Sequence, residues 1–334
     1  MKRILMFAAA LGFSQAFMPA TALAAPPLQL YGGVSVGFGR PGYFYSSLRT
    51  YGEWIELEPG FHVWRPLRVR HGWRPYLYGR WAWTDYGWYW VSDEPFGWAV
   101  FHYGRWYYDD FYGWIWVPDN VWGPSWVEWR YNDDYIGWAP LPPYATFSIS
   151  IGIRYTTRWI APAPYWCFVR YRHFTGGSIY RYREDDVSTR RLIGRTRSSG
   201  SYDVERDRII NRGVDRNVIE RRGNVRISRV EVLDSRERGE RVIRGTGSTR
   251  IEVHRPSRSD IDQAPERIEA RRGERGSTLD LQRIERGRET RESDRPVPRR
   301  EGDTRAPQPQ DPVRERPTPT GRRDGTTDRR PEVG

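Results

Sequence analysis

The sequence predicts an all-β protein: an antiparallel meander of aromatic β-hairpin repeats, followed by a small β-rich segment and a disordered tail. Three observations carry that prediction. Fifteen of the 17 tryptophans in the 334-residue chain fall between Trp54 and Trp138. Within that stretch two short motifs return at offsets of 25 and 26 residues, with large rings two residues apart, as one face of an extended strand requires. From residue 257 onward, aromatic and aliphatic side chains give way to Arg, Glu, Asp, Pro, Gly and Thr.

The N-terminus reads as an export signal. Lys2 and Arg3 form a positive n-region, residues 4–13 an apolar h-region, and Ala22-Leu23-Ala24 a small-x-small cleavage site, so residues 1–24 are expected to be removed before Ala25. The apolar run is too short to be a membrane span. No cysteine follows the site for a lipid anchor. The mature chain is therefore expected in the periplasm or cell envelope, beginning with a Gly-rich segment at 25–44.

Residues 45–143 hold the repeats. Tyr78-Gly79-Arg80-Trp81 returns as Tyr103-Gly104-Arg105-Trp106, and Tyr86-Gly87-Trp88-Tyr89-Trp90-Val91 returns as Tyr112-Gly113-Trp114-Ile115-Trp116-Val117. A weaker copy starts at Tyr51-Gly52-Glu53-Trp54. Thr84-Asp85-Tyr86-Gly87 supplies turn residues, with Gly87 free to take positive φ. Each copy thus reads as a hairpin, and Gly97 to Tyr103 as the strand leading into the next.

Short strands in a small sheet must bury much area per residue, and an aromatic ring supplies about 150–250 Å². Trp81, Trp83, Trp88, Trp90, Trp106, Trp114 and Trp116 are accordingly expected in the core. Both faces carry rings, however, where a solvated face would alternate with polar residues. Tyr89, Tyr107, Tyr108 and Tyr112 are therefore candidates for an outward surface that stacks on a ligand. Turn carboxylates such as Asp85, Asp109 and Asp119 stand beside them. The alternative is a second packed layer.

The run "GWIWVPDNVWGPSWVEWRYNDDYIGWAPLPP", with the "YGRW" and "FGWA" copies before it, resembles a family of exported bacterial proteins with tryptophan- and tyrosine-rich repeats, a domain of unknown function. "YWCFVRYRHF", "RIINRGVD", "RISRVEVL" and "IEVHRP" extend the resemblance over about residues 45 to 256. It implies export and repeat architecture, and it brings no activity with it.

The segment 144–256 is more β-branched. Phe147 to Ile153 alternates as one half-buried strand, Val225 and Ile227 change phase to Val230 and Val232 as across a bulge, and Arg244-Gly245-Thr246-Gly247 reads as a turn into Ile251 and Val253. The segment is also basic: residues 151–256 carry 24 Arg against 13 Asp and Glu, net +11, whereas residues 25–150 carry 9 against 12, net −3. Residues 257–334 lack the apolar content to offset chain entropy and are expected to be disordered, with a short helix near Leu279 to Glu289 as the exception.

Cys167, the only cysteine, sits in an apolar run and reads as a small buried hydrophobe. Neither His nor Cys shows metal-ligand spacing, so no metal or other cofactor is expected. The acidic residues lie mainly at turns, where they bond nearby backbone amides, and His102 stands alone in an aromatic strand; no catalytic residues are assigned. Export argues against a native nucleic-acid partner. The sequence reading is a non-catalytic, envelope-associated scaffold or binding module for anionic envelope components or envelope proteins. A glycan-binding module using Trp and Tyr platforms is the alternative.

Overall fold

Each Tyr-Gly-x-Trp copy opens a hairpin whose two strands set one indole directly opposite another. The computed structural model describes residues 41–148, 152–200, 202–205, 208–245, 248–265 and 267–285. Strands β1 (Gly52–Glu58) and β2 (Phe61–Pro66) oppose Trp54 to Trp64. Strands β3 (Gly79–Thr84) and β4 (Gly87–Ser92) oppose Trp81 to Trp90 and Trp83 to Trp88. Strands β5 (Arg105–Asp109) and β6 (Gly113–Val117) oppose Trp106 to Trp116. A fourth hairpin, β7 (Val127–Tyr131) and β8 (Tyr135–Pro140), opposes Trp129 to Trp138 without the Tyr-Gly-x-Trp start.

Side-chain oxygens staple the turns. The Thr84 hydroxyl accepts from the Tyr86 N–H, Asp109 Oδ1 from the N–H groups of Phe111 and Tyr112, and Asn132 Oδ1 from those of Asp134 and Tyr135. These are the local bonds that make such residues turn formers.

The hairpins do not run on as one meander. The first and third join where Trp64 of β2 meets Trp116 of β6, within a five-stranded sheet. The second hairpin lies in a seven-stranded sheet and the fourth in a four-stranded one. The segment after the repeats completes these sheets: β11 (Cys167–Arg170) pairs with β8, β12 (Arg197–Ser199) with β7, β14 (Arg208–Asn211) with β4, and β15 (Arg229–Ser235) with β3. The β14–β4 and β15–β3 joins are parallel. Strands arriving after long crossovers are free to run parallel, as hairpin partners are not.

The protein is β-rich, but helices replace several expected strands. Gly97–Val100 is a short helix, not the strand leading into the next hairpin. All four of its residues are buried, and periodicity cannot tell a short, wholly buried apolar run in a strand from one in a helix. Asp185 caps the helix Asp186–Arg195 and Asp215 caps Arg216–Gly223, each through its carboxylate. The proposed single strand from Phe147 to Ile153 is instead two: Ala145–Ser148 pairs antiparallel with Gly152–Tyr155, Phe147 opposite Ile153. Val225 and Ile227 lie in a loop ahead of β15, so their phase change marks the start of a strand and not a bulge.

One aromatic core holds most of the tryptophans, among them Trp54, Trp64, Trp81, Trp88, Trp90, Trp106, Trp116, Trp129 and Trp138. A buried indole N–H usually finds an acceptor, because leaving it unpaired costs free energy. Trp64 donates to the carbonyl of Leu48, Trp88 to Val214, Trp106 to Val100, Trp116 to Tyr103 and Trp138 to Tyr76. The helix Pro41–Leu48 is thus part of this core, with Tyr43, Phe44 and Leu48 buried, which moves the start of the folded unit ahead of residue 45. Residues 1–40, with the expected signal peptide, lie outside the described residues.

The charge division of the sequence is used within the fold. Arg222 pairs with Asp133 at 2.6 Å, Arg229 with Asp85, and Arg271 with Glu53 at 3.3 Å. Arg170, Arg197 and Arg208 stack over Tyr135, Tyr131 and Tyr86. Through Arg222, Arg229 and the three stacked arginines, part of the +11 is therefore spent docking the basic segment onto the acidic, aromatic repeats, and Arg271 does the same from beyond it.

The expected disorder from residue 257 is corrected for the described part of that stretch. Ser257 caps the helix Arg258–Asp262 in a reciprocal capping box, Arg271–Arg272 adds a short parallel strand to β1, and residues 281–285 are helical. Leu279, Leu281 and Ile284 are buried. Residues 281–285 fall within the short helix expected near Leu279 to Glu289, whereas composition averaged over 78 residues hid the capped helix and the strand before it. Residues 286–334 lie outside the described residues.

Candidate functional site

The four tyrosines proposed as a stacking surface do not share a face. Tyr89 is fully buried: its ring stacks on His102 with centroids 4.5 Å apart, and its hydroxyl donates to Glu240 at 2.5 Å. Strands Glu240–Arg244 and Thr249–His254 continue the sheet beyond β15 and cover that side, with Ile251 and Val253 in the same cluster as Tyr89. Tyr112 is also buried, and Tyr107 is half-buried with its hydroxyl on the carbonyl of Thr278 at 3.1 Å. A second packed layer thus reverses the outward assignment for Tyr89, Tyr107 and Tyr112. Tyr108 alone of the four is open, at 47 % exposure.

Tyr108 forms one wall of a groove of about 410 Å³. Its ring meets Trp114 edge-on at 5.5 Å, and Trp114 is backed by Tyr165 at 4.6 Å. The facing wall is the loop after β2, which brings Arg65, Leu67, Arg68, Val69 and Arg70 to the same groove. Arg68 takes φ 57°, a left-handed conformation uncommon outside glycine. Leu67 and Val69 are exposed, as are Arg68 and Arg70. Arg65 is held by Glu53. Among the described residues no carboxylate lies within ion-pair distance of Arg68 or Arg70; Arg70 rests over the rings of Tyr78 and Tyr180, at 5.0 and 5.7 Å.

Two features make this loop hard to find from sequence. Its arginines fall between two repeat copies, and nothing in their spacing links them to Tyr108 some forty residues later. The signal present was the run Arg65 to Arg74, four arginines in a segment otherwise poor in positive charge.

A second cleft, of about 460 Å³, is lined by Tyr51, Glu94, Trp98, Arg238 and Glu240. Burial pushes the Glu94 carboxyl up to about 8, against the opposing effect of the Trp73 N–H that it accepts at 2.5 Å. The Glu240 side chain is 8 % exposed and lies 3.2 Å from His102 Nε2. His102 Nδ1 contacts the Gly123 carbonyl at 2.9 Å, and a carbonyl only accepts, so this nitrogen carries its hydrogen. His102 is a packed, bonded residue of the core, and Cys167 is likewise fully buried, its thiol pushed up by burial.

The expected core tryptophans Trp81, Trp88, Trp90, Trp106, Trp114 and Trp116 are buried, and Trp83 is partly buried against the same core. Among the described residues no group of three or more His, Cys, Asp and Glu side chains is placed to hold a metal ion. No helix among them is long and apolar enough to cross a membrane.

Residues 45–145 match the model of a family of unknown function (DUF6600). That span contains all four tryptophan hairpins and both walls of the Tyr108 groove. No curated protein and no solved structure matches the chain.

Proposed function

We propose that the chain is an exported, envelope-associated binding protein whose groove between Tyr108 and Arg68 takes an anionic saccharide of the cell envelope. The observation that carries this reading is the pairing of walls. Exposed Tyr108, backed by the buried Trp114, offers a ring face and edge to a sugar. Opposite them, Arg68 and Arg70 present guanidinium groups without carboxylate partners, suited to phosphate or carboxylate. The signal-like N-terminus and the excess of arginine from residue 151 support export and an anionic partner. A neutral glycan is the second reading, favoured by the same exposed tyrosine.

The test is binding of the mature chain to lipopolysaccharide and to a neutral polysaccharide over rising salt. Arginine contacts with an anion weaken as screening increases, whereas stacking on a neutral sugar does not. The proposal expects salt-sensitive binding that is lost in Arg68→Ala with Arg70→Ala and weakened in Tyr108→Ala. Salt-insensitive binding lost only in Tyr108→Ala selects the neutral-glycan reading. Binding unchanged in all variants overturns the groove as the site.

A further inference from the structure

We propose that the outer face of the five-stranded sheet is a peptide-recognition site, which the chain fills with its own residues 271–285 and which accepts the same segment from a second copy of the chain. The contacts are those of a receptor reading an extended peptide. Tyr112 Oη donates to the Arg275 carbonyl at 2.9 Å and accepts from the Arg275 N–H at 3.2 Å, satisfying both backbone groups of one residue. Asp109 Oδ2 accepts from the Ser277 hydroxyl at 2.5 Å, the Thr278 N–H at 2.9 Å and the Thr278 hydroxyl at 3.2 Å. Tyr107 Oη donates to the Thr278 carbonyl, and Tyr144 Oη accepts from the Asp280 N–H at 3.0 Å.

Sequence preference is built in. Two hydroxyls are read at 277 and 278, and Leu279, Leu281 and Ile284 enter a cluster with Ile55, Phe61, Val63, Ile115 and Val117. Gly273 donates to the Glu56 carbonyl at 2.8 Å, and a Cβ there would lie 3.0 Å from the Tyr112 hydroxyl. The approach resembles strand addition at a sheet edge, because Arg271 and Arg272 pair with Ile55 and Glu56 of β1.

The receptor half is assembled by the repeats, whereas the peptide half lies more than 100 residues later. Ladder pairing between the two is limited to two residues. Without the segment, Asp109 Oδ2 loses its three donors and the aliphatic face is open to water, which is costly for both. A copy whose face is empty thus has reason to take the segment of a neighbour. Every contact within one chain can be remade between two, as in other exchanges of an identical element, and the balance is set by effective concentration.

Complementary variants of the full chain test this. One carries Leu279→Asp with Ile284→Asp, which disables the segment; the other carries Asp109→Asn with Tyr112→Phe, which disables the face. In the mixture the intact face of the first takes the intact segment of the second. Sedimentation should show a 1:1 complex only in the mixture, with a synthetic peptide of residues 271–285 competing for it. That peptide should bind the segment-disabled chain, and adding Asp109→Asn should weaken binding by about tenfold or more, as loss of hydrogen bonds to a charged acceptor implies. No complex and no peptide binding, with β circular dichroism retained, overturns the proposal. If the segment-disabled chain fails to fold, excess peptide must restore its melting transition; failure to restore it is equally fatal.

Discussion

A Cβ on Gly104 would lie 2.5 Å from Nε1 of Trp116, the indole that crosses from the opposite strand. The relationship recurs. At Gly52 the same atom would lie 2.5 Å from Cε2 of Trp64, and at Gly79 it would lie 2.7 Å from Cζ2 of Trp90. In each Tyr-Gly-x-Trp copy the glycine therefore makes room for the partner strand's tryptophan and for the carbonyl oxygen of the residue after it, which is nearer still in all three, two residues before its own tryptophan pairs with that indole. Gly52→Ala isolates this steric effect, because Gly52 is not among the positive-φ residues, and should destabilise by about 1–3 kcal/mol. Gly104→Ala adds the strain of φ 67° and should cost about 1–2 kcal/mol more. Gly113→Ala is the control: its φ is 71° but nothing lies within 4 Å, so only the backbone cost of about 1–2 kcal/mol remains. Thermal or denaturant melts that rank Gly104→Ala no lower than Gly113→Ala would count against this account of the motif.

The repeat, its hairpins and their turns were legible because period-two rings and Thr84-Asp85-Tyr86-Gly87 encode local geometry. The grouping of hairpins into sheets was not, because it depends on strands more than 100 residues away: β15 reaching β3, or Ile251 covering Tyr89. Alternation identified two aromatic faces correctly but could not say that both would be covered. The caps Asp185 and Asp215 could have announced two helices, each preceding an Arg-rich turn with apolar residues at helical spacing. Arginine content masked that periodicity. Half of the candidate groove was visible as Tyr108, and its arginine wall became visible only once the loop after β2 folded back across β6.

Burial separates the two aromatic roles between the second and third hairpins. Trp88 is fully buried, meets Phe174 edge-on at 4.9 Å and donates to the Val214 carbonyl at 2.8 Å. Trp88→Ala should cost about 3–5 kcal/mol and lower the melting temperature accordingly. Tyr108→Ala should stay within about 0.5 kcal/mol of the parent protein, as surface substitutions do, while losing affinity for the saccharide of the proposed groove. Equal destabilisation by both would place Tyr108 in the core energetically and remove it from the site.

Glu94 should make the fold less stable as pH rises. Its carboxyl titrates up to about 8 in the fold because burial disfavours the charged form, whereas the unfolded chain ionises near the ordinary glutamate value of about 4.3. Between those values the native state binds the extra proton, so stability is largest below the unfolded value and declines across the window toward about 8. Glu94→Gln removes the titration and should flatten that part of the profile. Parallel profiles for the two proteins from pH 5 to 8, measured by denaturant melts, would rule out Glu94 as the source (a window set by the two values above).

Asp109 should act in the opposite direction. Burial alone would raise its carboxyl, but the Ser277 hydroxyl and the N–H groups of Tyr112, Phe111 and Thr278 outweigh it and hold the group below the usual aspartate range. A folded value beneath the unfolded one means that the stabilisation is complete above about pH 4 and is lost as pH falls through the folded value. Acid should therefore release residues 277–278 from the sheet before the tryptophan core opens, because the indoles of Trp64, Trp88, Trp106, Trp116 and Trp138 donate to backbone carbonyls that do not titrate. Asp109→Asn, with one acceptor oxygen where the segment needs a charged one, should weaken that segment already at neutral pH and remove its acid step. Hydrogen exchange at the Thr278 and Asp280 amides, compared with that of core strands β3 and β4 on lowering the pH, reads the two events separately. Simultaneous loss of protection in both regions, in the parent protein and in Asp109→Asn alike, would show that Asp109 does not set the acid response of the segment.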